Sequence, residues 1–346
     1  MKNKWRKYLL LPLLILFLIP SIISCKSKET PKVTPVNGIT KIRLNEVARS
    51  IFYAPMYAAI NEGFFKEEGI EIELTTGQGA DKTMQQLLSG SVDIGFSGPE
   101  QVIYIYNQKR EDYPVVFAQL TQKDGSFLVG RKKDADFTWE HVKGKTIVGG
   151  RPGGVPEMAL EYVLRNHGIQ PDKDLNLITN IAFNATAGAF VGGTGDYVAL
   201  FEPTGSMLEK ENSGAIVASI GKSAGVMPYT CFYTTKSYME KNPDIIERFT
   251  RAIYKGQLWV AKTKDEDVAK SIISFFPGTD NALVINVIKN YRDIDAFAAN
   301  PIIKEEDMSR LMDIIQSYKS DLIPKRPPFN DIVTNKFSKK IVDEIK

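Results

Sequence analysis

Residues 43–74, RLNEVARSIFYAPMYAAINEGFFKEEGIEIEL, constrain the fold more than any other stretch of this chain. Leu44 to Val47 form a short apolar run that Arg49-Ser50-Ile51-Phe52-Tyr53 interrupts. Ala54 to Phe65 carry apolar residues at helical spacing, with Pro55 in the first turn, where a missing N–H costs nothing. Gly69 closes the helical region, and Ile70-Glu71-Ile72-Glu73-Leu74 alternates with the period of a strand. The spacing predicts a strand, a turn, a helix and a second strand, which is a βαβ unit. In open α/β sheets ligands bind beyond the carboxyl ends of the strands, so the turn Arg49–Tyr57 is placed to hold one.

The same wording resembles a known family. An aromatic F-Y-A-P-x-Y-x-A helix start followed by G-F-F-x-x-E-G-I-x-I-E-L is similar to the opening of the NitT/TauT/SsuA and THI5/NMT1-like solute-binding proteins. The resemblance covers most of residues 40–300 and is most specific in the first third and around residues 146–206. It implies an α/β chain of the type II periplasmic-binding-protein fold, two α/β lobes with a ligand cleft between them. It also implies an extracytoplasmic receptor that delivers a small molecule to an ABC permease and its ATPase.

The N-terminus agrees with export. Lys2, Lys4, Arg6 and Lys7 form a basic segment, Tyr8 to Ile23 is uncharged and rich in Leu and Ile, and Cys25 follows Ile22-Ile23-Ser24. This is the pattern of a lipoprotein signal over residues 1–24, with Cys25 acylated as the mature N-terminus and anchored to the outer face of the membrane. Residues 25–39 then read as a polar, proline-containing tether. The pattern breaks near Arg131-Lys132-Lys133-Asp134 and again near Met227-Pro228, and the resemblance implies lobe one at residues 40–130 plus 227–346 and lobe two at 131–226. The 346 residues less this leader exceed one ordinary core.

Charge excludes one class of partner. The 44 Lys and Arg against 41 Asp and Glu fall to 40 against 41 once the four basic residues of the leader are removed. That balance carries no footprint for nucleic acid. The chain has 2 Cys and 2 His. Cys231 is left without a disulfide partner, and His141 and His167 lie in separate elements, so no cofactor and no zinc or iron site is expected. The chain is expected to be a monomer and not an enzyme.

Four turns each follow a strand and open a helix: Arg49–Tyr57, Ser97–Glu100, Gly150–Glu157 and Phe201–Thr204. Helix N-termini offer free N–H groups and partial positive charge. From the first turn Ser50, Phe52, Tyr53 and Tyr57 are candidates, the aromatic rings for stacking on a planar ligand. Phe52 and Tyr57 have the alternative of belonging to the helix core. Ser97 and Gly98 follow, as a hydroxyl and a close backbone approach. Gly153, Gly154 and Val155 are similar to the glycine-rich loop with which the family holds its ligand. They match neither a Walker loop nor a dinucleotide fingerprint.

Glu202 ends an apolar strand, and its carboxylate suits the edge of an aminopyrimidine; the alternative is a helix N-terminal charge. Tyr229 and Thr230 line the second crossing, and Asn184 and Thr186 are weaker candidates. Aromatic residues with Glu202 favour a planar nitrogen heterocycle such as a thiamin pyrimidine precursor or riboflavin. A sulfonate, taurine or nitrate would instead call on Arg49 or Arg151. A THI5-like pyrimidine-synthesising enzyme is the remaining alternative, and the exported leader opposes it.

Overall fold

The computed structural model describes residues 38–171 and 173–345. The expected leader, Cys25 and most of the tether lie outside them. Two five-stranded mixed sheets, each flanked by helices, make up the fold.

The opening βαβ unit forms as its periodicity demands. β1 (Thr40–Glu46) runs parallel to β2 (Ile70–Thr76) in full register, Leu44 opposite Leu74. The connection is two helices, α1 (Ala54–Asn61) and α2 (Phe64–Glu67), where one was expected. Gly63 separates them at φ 84°, a left-handed conformation that glycine adopts without a Cβ clash. α3 (Ala80–Leu88), β3 (Ile94–Ser97), α4 (Glu100–Asn107) and β4 (Pro114–Thr121) follow.

The chain then enters the second sheet: β5 (Ser126–Gly130), β6 (Thr146–Val148), α5 (Val155–Asn166), β7 (Asn176–Ile178), α6 (Thr186–Val191), β8 (Tyr197–Phe201), α7 (Thr204–Lys210), β9 (Ala215–Ser219) and α8 (Ile220–Ala224). It returns through β10 (Thr230–Thr235) and finishes with α9 (Lys236–Lys241), α10 (Pro243–Lys262), α11 (Asp265–Ile272), α12 (Asn281–Asp293), α13 (Glu305–Tyr318), α14 (Phe329–Ile332) and α15 (Lys336–Glu344).

The first sheet has the order β2-β1-β3-β10-β4, the second β7-β6-β8-β5-β9. β10 enters antiparallel between β3 and β4, so residues more than a hundred apart complete one sheet. One expected boundary moves. Ser126–Gly130 was assigned with the first lobe, but it pairs with β8 and β9 inside the second sheet. The basic run at Arg131 follows this strand. It marks the strand's exit and not the passage between sheets, which lies between Thr121 and Ser126.

The two passages run side by side. The Met227 N–H donates to Gln122 O and the Tyr229 N–H to Thr121 O, each at 3.0 Å. The C-terminal helices do more than wrap the first sheet. α12 packs on α7 and α13 on α5, so they also cover the second.

Candidate functional site

The first turn is a short 3₁₀ helix, Ile51–Tyr53, leading into α1. Ser50 caps it, its Oγ accepting from the Phe52 N–H at 3.2 Å. Phe52 and Tyr53 face the passage between the sheets, and the chain folds other rings onto them. Phe52 stacks on Tyr291 of α12 with centroids 4.5 Å apart, and meets Tyr229 at 5.8 Å and Phe201 at 6.5 Å. Tyr53 meets Phe96 edge-on at 4.7 Å, and its phenol faces Thr230. Gly125 lies in the same cluster, where a Cβ would fall 2.6 Å from the Phe52 ring. Phe52, Tyr53, Phe201, Tyr229 and Tyr291 thus come from four separate stretches of sequence to form one aromatic wall.

Tyr57 is not part of that wall. It is fully buried, donates to Glu46 Oε2 at 2.6 Å and stacks on Phe275 at 4.4 Å. Its alternative reading, a core residue of the helix, describes its surroundings. Ser97 is also engaged, its Oγ 2.6 Å from the Tyr233 hydroxyl. Gly98 lies under the Glu100 carboxylate, which leaves no room for a Cβ there. Gly153, at φ 76°, has open space where its Cβ would be; Gly154 caps α5, and Val155 is its buried first residue. Asn184 is exposed and Thr186 is buried.

A common device recurs at all four turns: each holds a buried glutamate of its own. At the first, Glu46 accepts from Arg49 Nε at 2.7 Å, Tyr57, and Thr76 Oγ1 at 2.9 Å. At the second, Glu100 folds back over Gly98 and its own N–H. At the third, Glu157 Oε2 accepts from the Gly150 N–H. At the fourth, Glu202 accepts from the Ser206 N–H at 2.9 Å and Ser206 Oγ at 2.7 Å, and from Asn290 Nδ2 of α12 at 2.6 Å. The donors that these helix starts would offer an anion are therefore partly engaged by the chain's own carboxylates.

The candidate cations are paired too. Arg49 lies on Glu46 and over the Tyr57 and Phe275 rings. Arg151 lies 3.4 Å from Asp81.

Burial sets the protonation of these acids. It pushes the Glu100 carboxyl up to about 7, opposed by hydrogen bonds and by Arg151. It pushes Glu157 up to about 8, against the Gly150 N–H and helped by neighbouring Glu161. Asp124, fully buried at the passage between the sheets, is pushed up to about 6 despite bonds from Ser126; the Tyr229 phenol faces it. Among the described residues no group of three His, Cys, Asp or Glu side chains could hold a metal ion. His141 pairs with Asp134 at 2.8 Å and His167 stacks on Trp139.

Glu100, Asp124 and Tyr291 were not among the expected site residues. Glu100 closes the Ser97–Glu100 turn, where a carboxylate following a strand end and Gly-Pro is the available signal. Tyr291 sits in a helix with no local motif to mark it.

Two mixed α/β sheets flanked by helices form the fold of periplasmic binding proteins. The sequence pattern of the NMT1/THI5-like family matches residues 51–267, and the chain belongs to that family. YtlA of Bacillus subtilis (strain 168), named as a binding protein, is 42% identical over 99% of this chain and 99% of its own length. A second Bacillus subtilis protein, named for binding aliphatic sulfonates, is 23% identical over 84% of this chain and 86% of its own. Among solved structures, the periplasmic aliphatic sulphonate binding protein SsuA of Escherichia coli superposes with a TM-score of 0.69 at 15% identity, covering 86% of this chain and 99% of that one. That likeness shows the fold.

Proposed function

We propose that this protein is the extracytoplasmic receptor of an ABC importer, and that it captures a planar, uncharged or cationic nitrogen heterocycle between its two sheets. The relatives named as binding proteins and the shared fold support the receptor role. The two parallel passages between the sheets suit a hinge on which the lobes close. The relatives that match this chain over most of both lengths are named as binding proteins, and no catalytic step is proposed for it.

One observation carries the choice of ligand: Glu46, Glu100, Glu157 and Glu202, all at most 3% exposed, occupy the four turns that would otherwise receive an anion. A sulfonate or nitrate would find turn donors already taken by these glutamates, with both candidate arginines already paired. The rings of the aromatic wall are buried on one another here, Phe52 and Tyr291 at 0% exposure, and offer stacking area to a flat ring only when the lobes part. The leader and Cys25 lead us to infer a lipid anchor on the outer face of the membrane, with Cys25→Ser releasing the protein from it.

The test is a thermal-shift screen of residues 26–346 against hydroxymethylpyrimidine, formylaminopyrimidine, thiamin, riboflavin, taurine, alkanesulfonates and nitrate. A ligand at a hundredfold excess over its dissociation constant stabilises by about 2.7 kcal/mol. Stabilisation by a heterocycle supports the reading. Stabilisation by sulfonates or nitrate alone rejects it in favour of an anion receptor.

A further inference from the structure

α12 stands on the seam between the two lobes and is held from both sides. On the first-lobe side it packs on α11 and on the turn Ile51–Tyr53, and Arg292 donates to Val260 O at 2.6 Å and Thr263 O at 2.7 Å. On the second-lobe side it meets the Glu202 turn and α7. Asn290 Nδ2 donates to Glu202 Oε1 at 2.6 Å and to Ser206 Oγ at 3.3 Å, and Asn286 Nδ2 donates to Ser206 Oγ at 3.0 Å. Asp280, which caps the start of α12, accepts from Lys210 Nζ of α7 at 2.9 Å.

Two adjacent residues of this helix therefore join the first and fourth turns. Tyr291 lays its ring on Phe52 at 4.5 Å, and its hydroxyl accepts from the Glu202 N–H at 3.3 Å. Asn290 holds the Glu202 carboxylate. Tyr291 is 0% exposed, Glu202 2% and Ser206 4%, so these bonds are made away from water, where hydrogen bonds are stronger. The exposed Lys210–Asp280 pair adds little. All these partners belong to the chain itself, so their pull on the lobes is the same whatever the cleft holds.

We propose that α12 is a latch between the lobes, with Asn290 as its catch. Its bonds to Glu202 and Ser206 hold the cleft shut, and a ligand enters only the fraction of molecules in which the catch has let go. Apparent affinity is reduced by that fraction. The assignment rests on the receptor reading above and is independent of which ligand is bound.

Small-angle X-ray scattering by the mature chain with Cys25→Ser, without any small molecule, tests it. Wild type should scatter as the arrangement described here. Asn290→Asp sets a second carboxylate against Glu202, with the Tyr291 phenol as the other titratable group facing it. Like charges in contact repel, so this variant should show a larger radius of gyration than wild type at pH 8. At pH 5 one carboxyl of the pair takes up a proton, and the radius should return toward the wild-type value.

Asn290→Ala is the milder variant, since Glu202 keeps both its bonds from Ser206. The Glu202 amide, bonded to the Tyr291 hydroxyl, exchanges its hydrogen when the seam parts. Loss of one bond to a charged group should speed that exchange at least about tenfold. Tyr57→Phe, which weakens the first lobe away from the seam, should change neither the exchange at Glu202 nor the radius.

An Asn290→Asp variant as compact as wild type at pH 8, or an unchanged exchange rate at Glu202 in Asn290→Ala, overturns the latch. So does a wild type that scatters as parted lobes, or an expansion that pH 5 does not reverse. Each of these leaves the receptor reading intact, because no ligand takes part; that reading stands or falls on the ligand screen.

Discussion

Glu202 Oε1 accepts from Asn290 Nδ2 at 2.6 Å, which ties the end of β8 in the second sheet to α12 in the C-terminal helical segment. The same carboxylate caps α7 through the Ser206 N–H and hydroxyl. It is a junction between two parts of the chain and is 2% exposed. Glu202→Gln replaces one acceptor oxygen with an NH₂ that cannot serve these donors. The expected loss is about 1–3 kcal/mol of stability, the cost of a buried donor left unpaired. Urea denaturation checks it; an unchanged midpoint would show that the junction carries no stability.

Tyr57 poses a cleaner question, because its phenol meets a carboxylate in the core. Tyr57→Phe keeps the stacking on Phe275 and removes one bond to Glu46. A hydrogen bond to a charged group contributes about 1.5–3 kcal/mol, so stability should drop by that amount. Affinity for any ligand should stay within about a factor of three, less than 1 kcal/mol. A variant of wild-type stability and tenfold weaker binding would return Tyr57 to the cleft.

Arg151 separates the two ligand classes. Its pair with Asp81 is exposed, with side chains 58% and 45% accessible, so Arg151→Ala should change stability by less than about 1 kcal/mol. Heterocycle affinity should hold within a few-fold in calorimetry. If the true ligand is a sulfonate, the same change removes a cation from its site and should weaken binding at least tenfold.

The pH dependence of stability follows from carboxyls whose folded values lie above their unfolded ones. Burial raises Asp124 to about 6 and Glu157 to about 8. The folded state then binds protons that the unfolded state has released. Stability is fully present below the unfolded carboxylate range and is lost as pH rises toward 8, each group contributing up to about 1.4 kcal/mol per pH unit within its window. Denaturation midpoints at pH 5, 6.5 and 8 should fall in that order. Glu157→Gln should lessen both steps, because its window runs from the unfolded carboxylate range to about 8, while Asp124 and Glu100 keep part of the lower one.

Gly221 marks how closely the passages between the sheets are packed. A Cβ there would fall 1.9 Å from the Asp124 carbonyl oxygen, a backbone atom that cannot turn aside. Gly221→Ala should cost about 1–3 kcal/mol through overpacking, read as a lowered urea midpoint. An unchanged midpoint would mean that the passage shifts freely.

Much of this was legible in the residue order. The βαβ opening, the four strand-to-helix turns and the helix from Pro243 all follow from periodicity and from Pro and Gly placement, which are local properties. The break at Gly63 and the membership of Ser126–Gly130 were not, because a short apolar strand reads the same in either sheet. Within the site, Phe52 and Tyr53 were visible as an aromatic turn, whereas Glu100 was visible only as the end of one.

By itself the amino-acid sequence determined the elements, their alternating order and the family, since each depends on neighbours a few residues apart. Only the tertiary structure decided which donors meet each buried glutamate. Glu46 is served by Arg49 and Tyr57, Glu157 by Gly150, and Glu202 by Ser206 and Asn290, while Glu100 Oε2 and Glu157 Oε1 meet no donor. That difference arises where distant segments come together: Asn290 is 88 residues from the carboxylate it serves, and no local pattern encodes such a meeting.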